Sequence, residues 1–143
     1  MSSVYDDLLT HLRTELAAIA GTYTFPGNQT TPAFRFDKGQ VQPQPNVAGL
    51  EIVVRQGDVD APAAVLNGSW VHGFSGTVHL FEHDTSKTAN VHQPVAIAAM
   101  MKFAKTTPSF EVRTNEIVGV PPQPELNALS EVRIPFRLYE YRQ

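Results

Sequence analysis

The run from Gly68 to Asp84, GSWVHGFSGTVHLFEHD, constrains this chain more than any other stretch. It is rich in aromatic and β-branched residues and free of proline, so it reads as one long strand. Trp70, His72, Phe74, Val78 and Leu80 share one parity, and Val71, Thr77, His79 and Phe81 share the other. Side chains alternate across a strand, so both faces are partly apolar. That suits a central strand covered by helices on one side and by a partner or loop on the other. Gly73 and Gly76 mark a bulge or bend. The same run holds the only tryptophan and three of the five histidines, beside Glu82 and Asp84, so a metal site is the competing meaning.

At 143 residues the chain fits a single domain, 1–143, able to bury a core. Hydrophobic content of 42% and charged content of 17% describe a globular protein. A net charge of −3 carries no basic stripe for nucleic acid. With no cysteine there are no disulfides, thiolate nucleophiles or cysteine-ligated zinc, which fits a reducing compartment. No apolar run approaches the roughly 20 residues that span a bilayer. MSSVYDDLLTHL lacks the basic and apolar regions of a secretion signal, so a cytosolic protein is expected.

Val4, Leu8, Leu9, Leu12, Leu16 and Ile19 form one apolar stripe and predict an amphipathic helix over residues 3–20, packed on a sheet. Ser3 with Asp6 resembles a capping box, Asp6 and Asp7 suit the positive end of the helix dipole, and Gly21 ends the helix. Short extended pieces at 23–25 and 33–36 flank a turn at Pro26-Gly27-Asn28, and a Gln/Pro-rich loop occupies 37–47. Leu50 to Val54 is a strand, and Gln56 to Gly68 a loop carrying Asp58 and Asp60. Residues 90–105 read as a second helix whose broad apolar face comprises Val91, Val95, Ala98, Met101 and Phe103. Residues 110–118 predict a strand, and GVPPQP at 119–124 a rigid loop. Val132, Ile134, Phe136 and Leu138 alternate with Arg133, Pro135 and Arg137, a strand with one face buried. Proline cannot donate to a ladder, so this strand is expected at an edge or with the Pro135 amide position turned outward. The order predicts an α+β fold: a mostly antiparallel sheet of about four to five strands with two helices against it.

Residue chemistry offers little that resembles an active site. His79 and His83 have a metal-like spacing only on a helix; on a strand they share a face about 13 Å apart at ~3.3 Å per residue. One zinc ion with bonds of about 2.0–2.1 Å does not bridge that gap. His83, Asp84 and His92 converging across the turn remain an alternative. There is no G-x-S-x-G elbow, no Ser-x-x-Lys and no glycine loop opening a helix. Asp58 and Asp60 read as solvated loop charge, the aromatic residues as core, and lysine and arginine as too scattered to track a phosphate backbone. No catalytic residue, metal or cofactor is assigned.

The layout resembles the tail terminator proteins of long-tailed bacteriophages, and more loosely the neck and tail-completion proteins of the same fold. The resemblance runs through VYDDLLTHLRTEL, GLEIVVRQGD with the loop after it, GSWVHGFSGTVHLFEHD, VHQPVAIAAMMKF and EVRIPFRLYEY, nearly the whole chain. It implies a non-enzymatic virion protein, assembled in the host cytoplasm. Such a protein forms a ring, usually a homohexamer, that caps the tail tube, stops its growth and joins the tail to the head. Its partners are then its own copies, the tube protein and a head or neck connector, with DNA only in transit and no membrane. Asp58 and Asp60 are candidates for lumen- or tube-facing charge. Val71, Phe81, Pro135, Tyr139 and Tyr141 are candidates for the subunit interface. The alternatives are a neck adaptor or tail-completion protein, or, from another class, a small cavity-forming ligand-binding domain or enzyme. There Trp70, His72 and Phe74 line a pocket with His72 as general base.

Overall fold

The computed structural model describes residues 4–39, 41–59, 63–64, 70–84, 88–107, 109–120 and 130–142. Two helices are present, α1 (Val4–Glu15) and α2 (Gln93–Thr106), the latter preceded by a 3-10 turn at Ala89–Val91. The strands are β1 (Thr22–Phe25), β2 (Gln29–Pro32), β3 (Phe34–Lys38), β4 (Val47–Ala48), β5 (Leu50–Val59), β6 (Ala63–Ala64), β7 (Trp70–Glu82), β8 (Phe110–Val112), β9 (Val118–Val120) and β10 (Ser130–Arg142). Among the described residues the main sheet has seven strands, ordered β3-β5-β7-β10-β8, with β6 beside β7 and β9 beside β10. A three-stranded sheet, β2-β1-β4, stands apart. The fold is therefore α+β with two helices. The sheet system is larger than four to five strands, and it is mixed, because β3 runs parallel to β5.

The helix-covered face of the main sheet is one parity of each strand: Leu50, Ile52 and Val54 on β5, Val78 and Leu80 on β7, Val132, Ile134, Phe136 and Leu138 on β10. Against them α1 lays Tyr5, Leu8, Leu9 and Leu12, with Leu16 just beyond its end. Full burial of each leucine contributes roughly 1.5–3 kcal/mol. The α1 stripe is as the spacing predicts, although the α-helix stops at Glu15 rather than near Ala20. The expected cap, Ser3, lies outside the described residues. Gly76 of β7 faces the Phe136 ring, and a Cβ there would sit 2.4 Å from Phe136 Cζ and 2.7 Å from the Arg55 carbonyl oxygen. Its role is thus to admit an aromatic ring. The register of β7 against β10 is unbroken from Trp70 to Glu82, and the irregularity expected at the β7 glycines lies in β5, between Gln56 and Val59.

Three further expectations are corrected. The turn at 26–28 joins β1 to β2, not to residues 33–36; Gly27 and Asn28 both take positive φ there, and Phe34–Lys38 pairs with β5. Of the two placements expected for β10, the edge is not found, since β7 flanks it on one side and β8 and β9 on the other, and the outward-turned Pro135 amide position is. Pro135 is tolerated because β8 pairs with residues 136–138 and β9 with 131–133, leaving its amide position facing the break between them. The Pro135 carbonyl accepts the Arg113 N–H at 2.9 Å, which fixes that side of the strand. Finally, α2 is rotated from the expected face. Ala96, Ala99, Met100 and Phe103 are buried, whereas Val91, Val95 and Met101 are 64%, 45% and 48% exposed.

Candidate functional site

The second face of the main sheet carries the opposite parity, and its chemistry differs from the expected apolar cover. Register places Arg35 and Asp37 (β3), Glu51, Val53 and Arg55 (β5), Ser75, Thr77, His79 and Phe81 (β7), and Glu131, Arg133, Pro135, Arg137 and Tyr139 (β10) on this face. Glu111 of β8 opposes Arg137, and Arg113 follows it at the same parity. Five of the chain's seven arginines therefore share one face, although in sequence they are scattered from position 35 to 137.

At one end this face is closed by a buried carboxylate. Glu51, with no exposed surface, accepts from the Tyr23 hydroxyl at 2.8 Å, Arg35 Nε at 3.0 Å, the Gln44 N–H at 3.1 Å and His83 Nε2 at 3.2 Å. Burial pushes its carboxyl upward; the bonds from His83, Arg35, Tyr23 and Gln44 outweigh that and hold it below the usual carboxylate range. Burial first, and then the Glu51 carboxylate, raise the Tyr23 phenol. Glu51 thereby ties the small sheet, through Tyr23, to the main one. Beside it, His79 Nδ1 lies 2.6 Å from Glu131, and its ring stacks on Phe81 at 5.7 Å. Burial also acts to raise Glu131, but His79 and Arg133 hold it below the ordinary range. Glu82, on the helix side, accepts from His92 Nε2 at 3.1 Å and from the Asp84 N–H at 2.9 Å. His79, His83 and His92 thus each serve a different glutamate. Among the described residues no three His, Asp or Glu side chains are grouped to hold a metal ion.

At the other end the face opens into a polar groove of about 320 Å³ lined by Arg55, Ser75, Thr77, Arg113, Glu116 and Arg137, among others. Arg55 donates to the Thr77 hydroxyl at 3.1 Å. Arg113 is held by Glu116 at 2.6 Å and lies 3.9 Å from Glu111. The Arg137 guanidinium lies over the Tyr139 ring, 5.6 Å from its centre. A second cleft, about 520 Å³, runs between the end of α1 and the β1–β2 hairpin, lined in part by Arg13, Ala17, Thr31 and Phe34. His72 lines neither cleft; it is half-buried on the helix-side parity, edge-on to Phe74 at 5.9 Å.

Of the expected contact residues, Tyr139 is exposed beside the groove, Pro135 lines it and Val71 is half-buried. Phe81 is only 3% exposed within the single chain, so it offers little surface to a second subunit. Asp58 lies in β5 rather than in a loop, with its side chain outside the described part, as is that of Tyr141. Asp60 lies outside the described residues altogether. The sequence missed the arginine groove and the Glu51 network because both join residues of distant strands. The alternating parity of 131–139 was the one available signal. No helix among the described residues is long and apolar enough to cross a membrane. No family model matches the chain, and no curated protein matches it in sequence.

Proposed function

We propose that this chain is a structural subunit that assembles with its own copies into a ring capping a phage tail tube, ending tube growth and joining tail to head. The observation that carries assembly is the outward stripe of α2. Val91, Val95 and Met101 lie along one side of the helix and its leading turn, and all are exposed. Single exposed apolar residues are ordinary, and three gathered on one side of an element suit a contact surface. The phage-tail assignment comes from the resemblance in element order and strand pattern, and an α+β sheet with two helices on one face is compatible with it.

The test is imaging of virions made without this protein. Overlong tails are the expected result. Tails of normal length detached from heads point instead to a neck adaptor, and intact infectious particles would falsify a role in the virion. A purified chain that sediments as rings, seen by negative stain, supports the same conclusion from the other side.

A further inference from the structure

We infer that the groove between Arg55, Arg113 and Arg137 is the receiving half of a head-to-tail contact, and that its occupant is the Asp6–Asp7 pair of a second copy of this chain. The inference rests on the ring reading above and specifies how its copies meet.

The groove sets three guanidinium groups against one lining carboxylate, Glu116, in a protein whose net charge is −3. Arg113 is engaged by Glu116 and Glu111. Arg55 has only a neutral hydroxyl bond, to Thr77, and forms no ion pair among the described residues. A half-buried guanidinium bonded to a hydroxyl is under-used, because its planar fork matches a carboxylate in two parallel hydrogen bonds. The Ser75 and Thr77 side chains sit where they can complete the shell of such a group.

A carboxylate pair fits this groove better than a nucleic-acid backbone. The groove is short, and Glu116 within it and Glu111 opposite Arg137 limit the positive stretch open to an extended polyanion. Local attraction at about 10 Å or less still reaches a short acidic element despite the overall negative charge.

Asp6-Asp7 is the chain's one pair of adjacent acidic residues, and both are exposed in the first turn of α1. α1 packs on the helix-covered face of the sheet, and the groove opens on the opposite face. Two complementary patches on opposite faces make a heterologous contact, which builds a ring when the rotation between copies closes and a filament when it does not.

Sedimentation of the full chain tests this. Wild type is expected to form a salt-sensitive oligomer. Arg55→Glu with Arg137→Glu is expected to weaken association roughly tenfold or more, and so is Asp6→Lys with Asp7→Lys. Combining the four changes restores it, a rescue that misfolding cannot produce. If the glutamate variants lose their circular dichroism signature, Arg55→Gln with Arg137→Gln reads the same contact. A wild-type chain that stays monomeric overturns the inference. An oligomer that persists at wild-type affinity in the arginine variants also overturns it, while leaving the ring itself standing. Binding of a labelled duplex DNA that is lost in the same variants overturns it in favour of a nucleic-acid groove.

Discussion

The two faces of the β7–β10 pair share one backbone and one register, yet they do different work. On the helix side Val78, Leu80, Ile134 and Phe136 form a dry layer in which side chains meet only apolar neighbours. On the outer side His79, Glu131, Arg133 and Arg137 occupy the intervening positions, and hydrogen bonds and ion pairs join many of the side chains there. The first face stabilises through area, which tolerates changes of shape that conserve volume. The second stabilises through paired polar groups, where loss of one partner leaves the other stranded. The helix side therefore carries the apolar core, and the outer side carries a network of polar and charged side chains.

Substitutions separate these roles. The largest effect is expected from Phe136→Ala, which empties the space between Phe110, 5.2 Å away, and Tyr5, 6.1 Å away. A loss of about 3–5 kcal/mol in denaturant titration is predicted. Glu51→Gln keeps the shape but removes the charge that holds Arg35 and His83, and a loss of roughly 1.5–3 kcal/mol is expected. A change as small as a surface substitution would sink the view that Glu51 clamps the two sheets.

Acid should act on the outer face before the helix side. Glu51 and Glu131 are both held below their ordinary range, so they bind protons more weakly folded than unfolded. Their contribution is fully present above the unfolded value near ~4.3 and is lost as pH falls through the lower folded values. Melting temperature should be flat from neutral down to about 5 and then drop. Glu131→Gln should shallow that drop; an unchanged acid limb would show that Glu131 is not linked to folding. The smallest effect on the isolated chain is expected from Val91→Ser with Val95→Ser, within about 0.5 kcal/mol, because both side chains already face water. The same pair should abolish ring formation, and rings of normal stability would remove α2 from the assembly surface.

Local pattern made α1 and β10 legible, since a stripe at 8, 12 and 16 and an alternation at 132–138 each have one face to bury. α2 was not legible in the same way. Its residues are apolar nearly all round, so 91, 95, 98 and 101 form as good a stripe as 96, 99, 100 and 103. Only the sheet beneath decides between them. The first strand after α2 was expected as one piece at 110–118, but it divides into β8 and β9 around a 3-10 turn at Thr114–Glu116. That break is what accommodates Pro135, and nothing in the local pattern of 110–118 announces it. The outer-face site was illegible for a related reason. Arg55, Arg113 and Arg137 become neighbours only once β5, β7, β10 and β8 lie side by side, and no spacing along the chain encodes that.

The central place of β10 has a consequence for how the molecule is made. Residues 130–142 hold β7, β8 and β9 together, so the sheet cannot close until they have left the ribosome. Until then β7 presents thirteen residues of open edge, the sort of template on which nascent copies pair with one another wrongly. The self-assembly proposed above then requires the chain to pass through a stage in which pairing too early is the main hazard. Its synthesis is therefore expected to depend on chaperone cover or low temperature more than its finished stability would suggest.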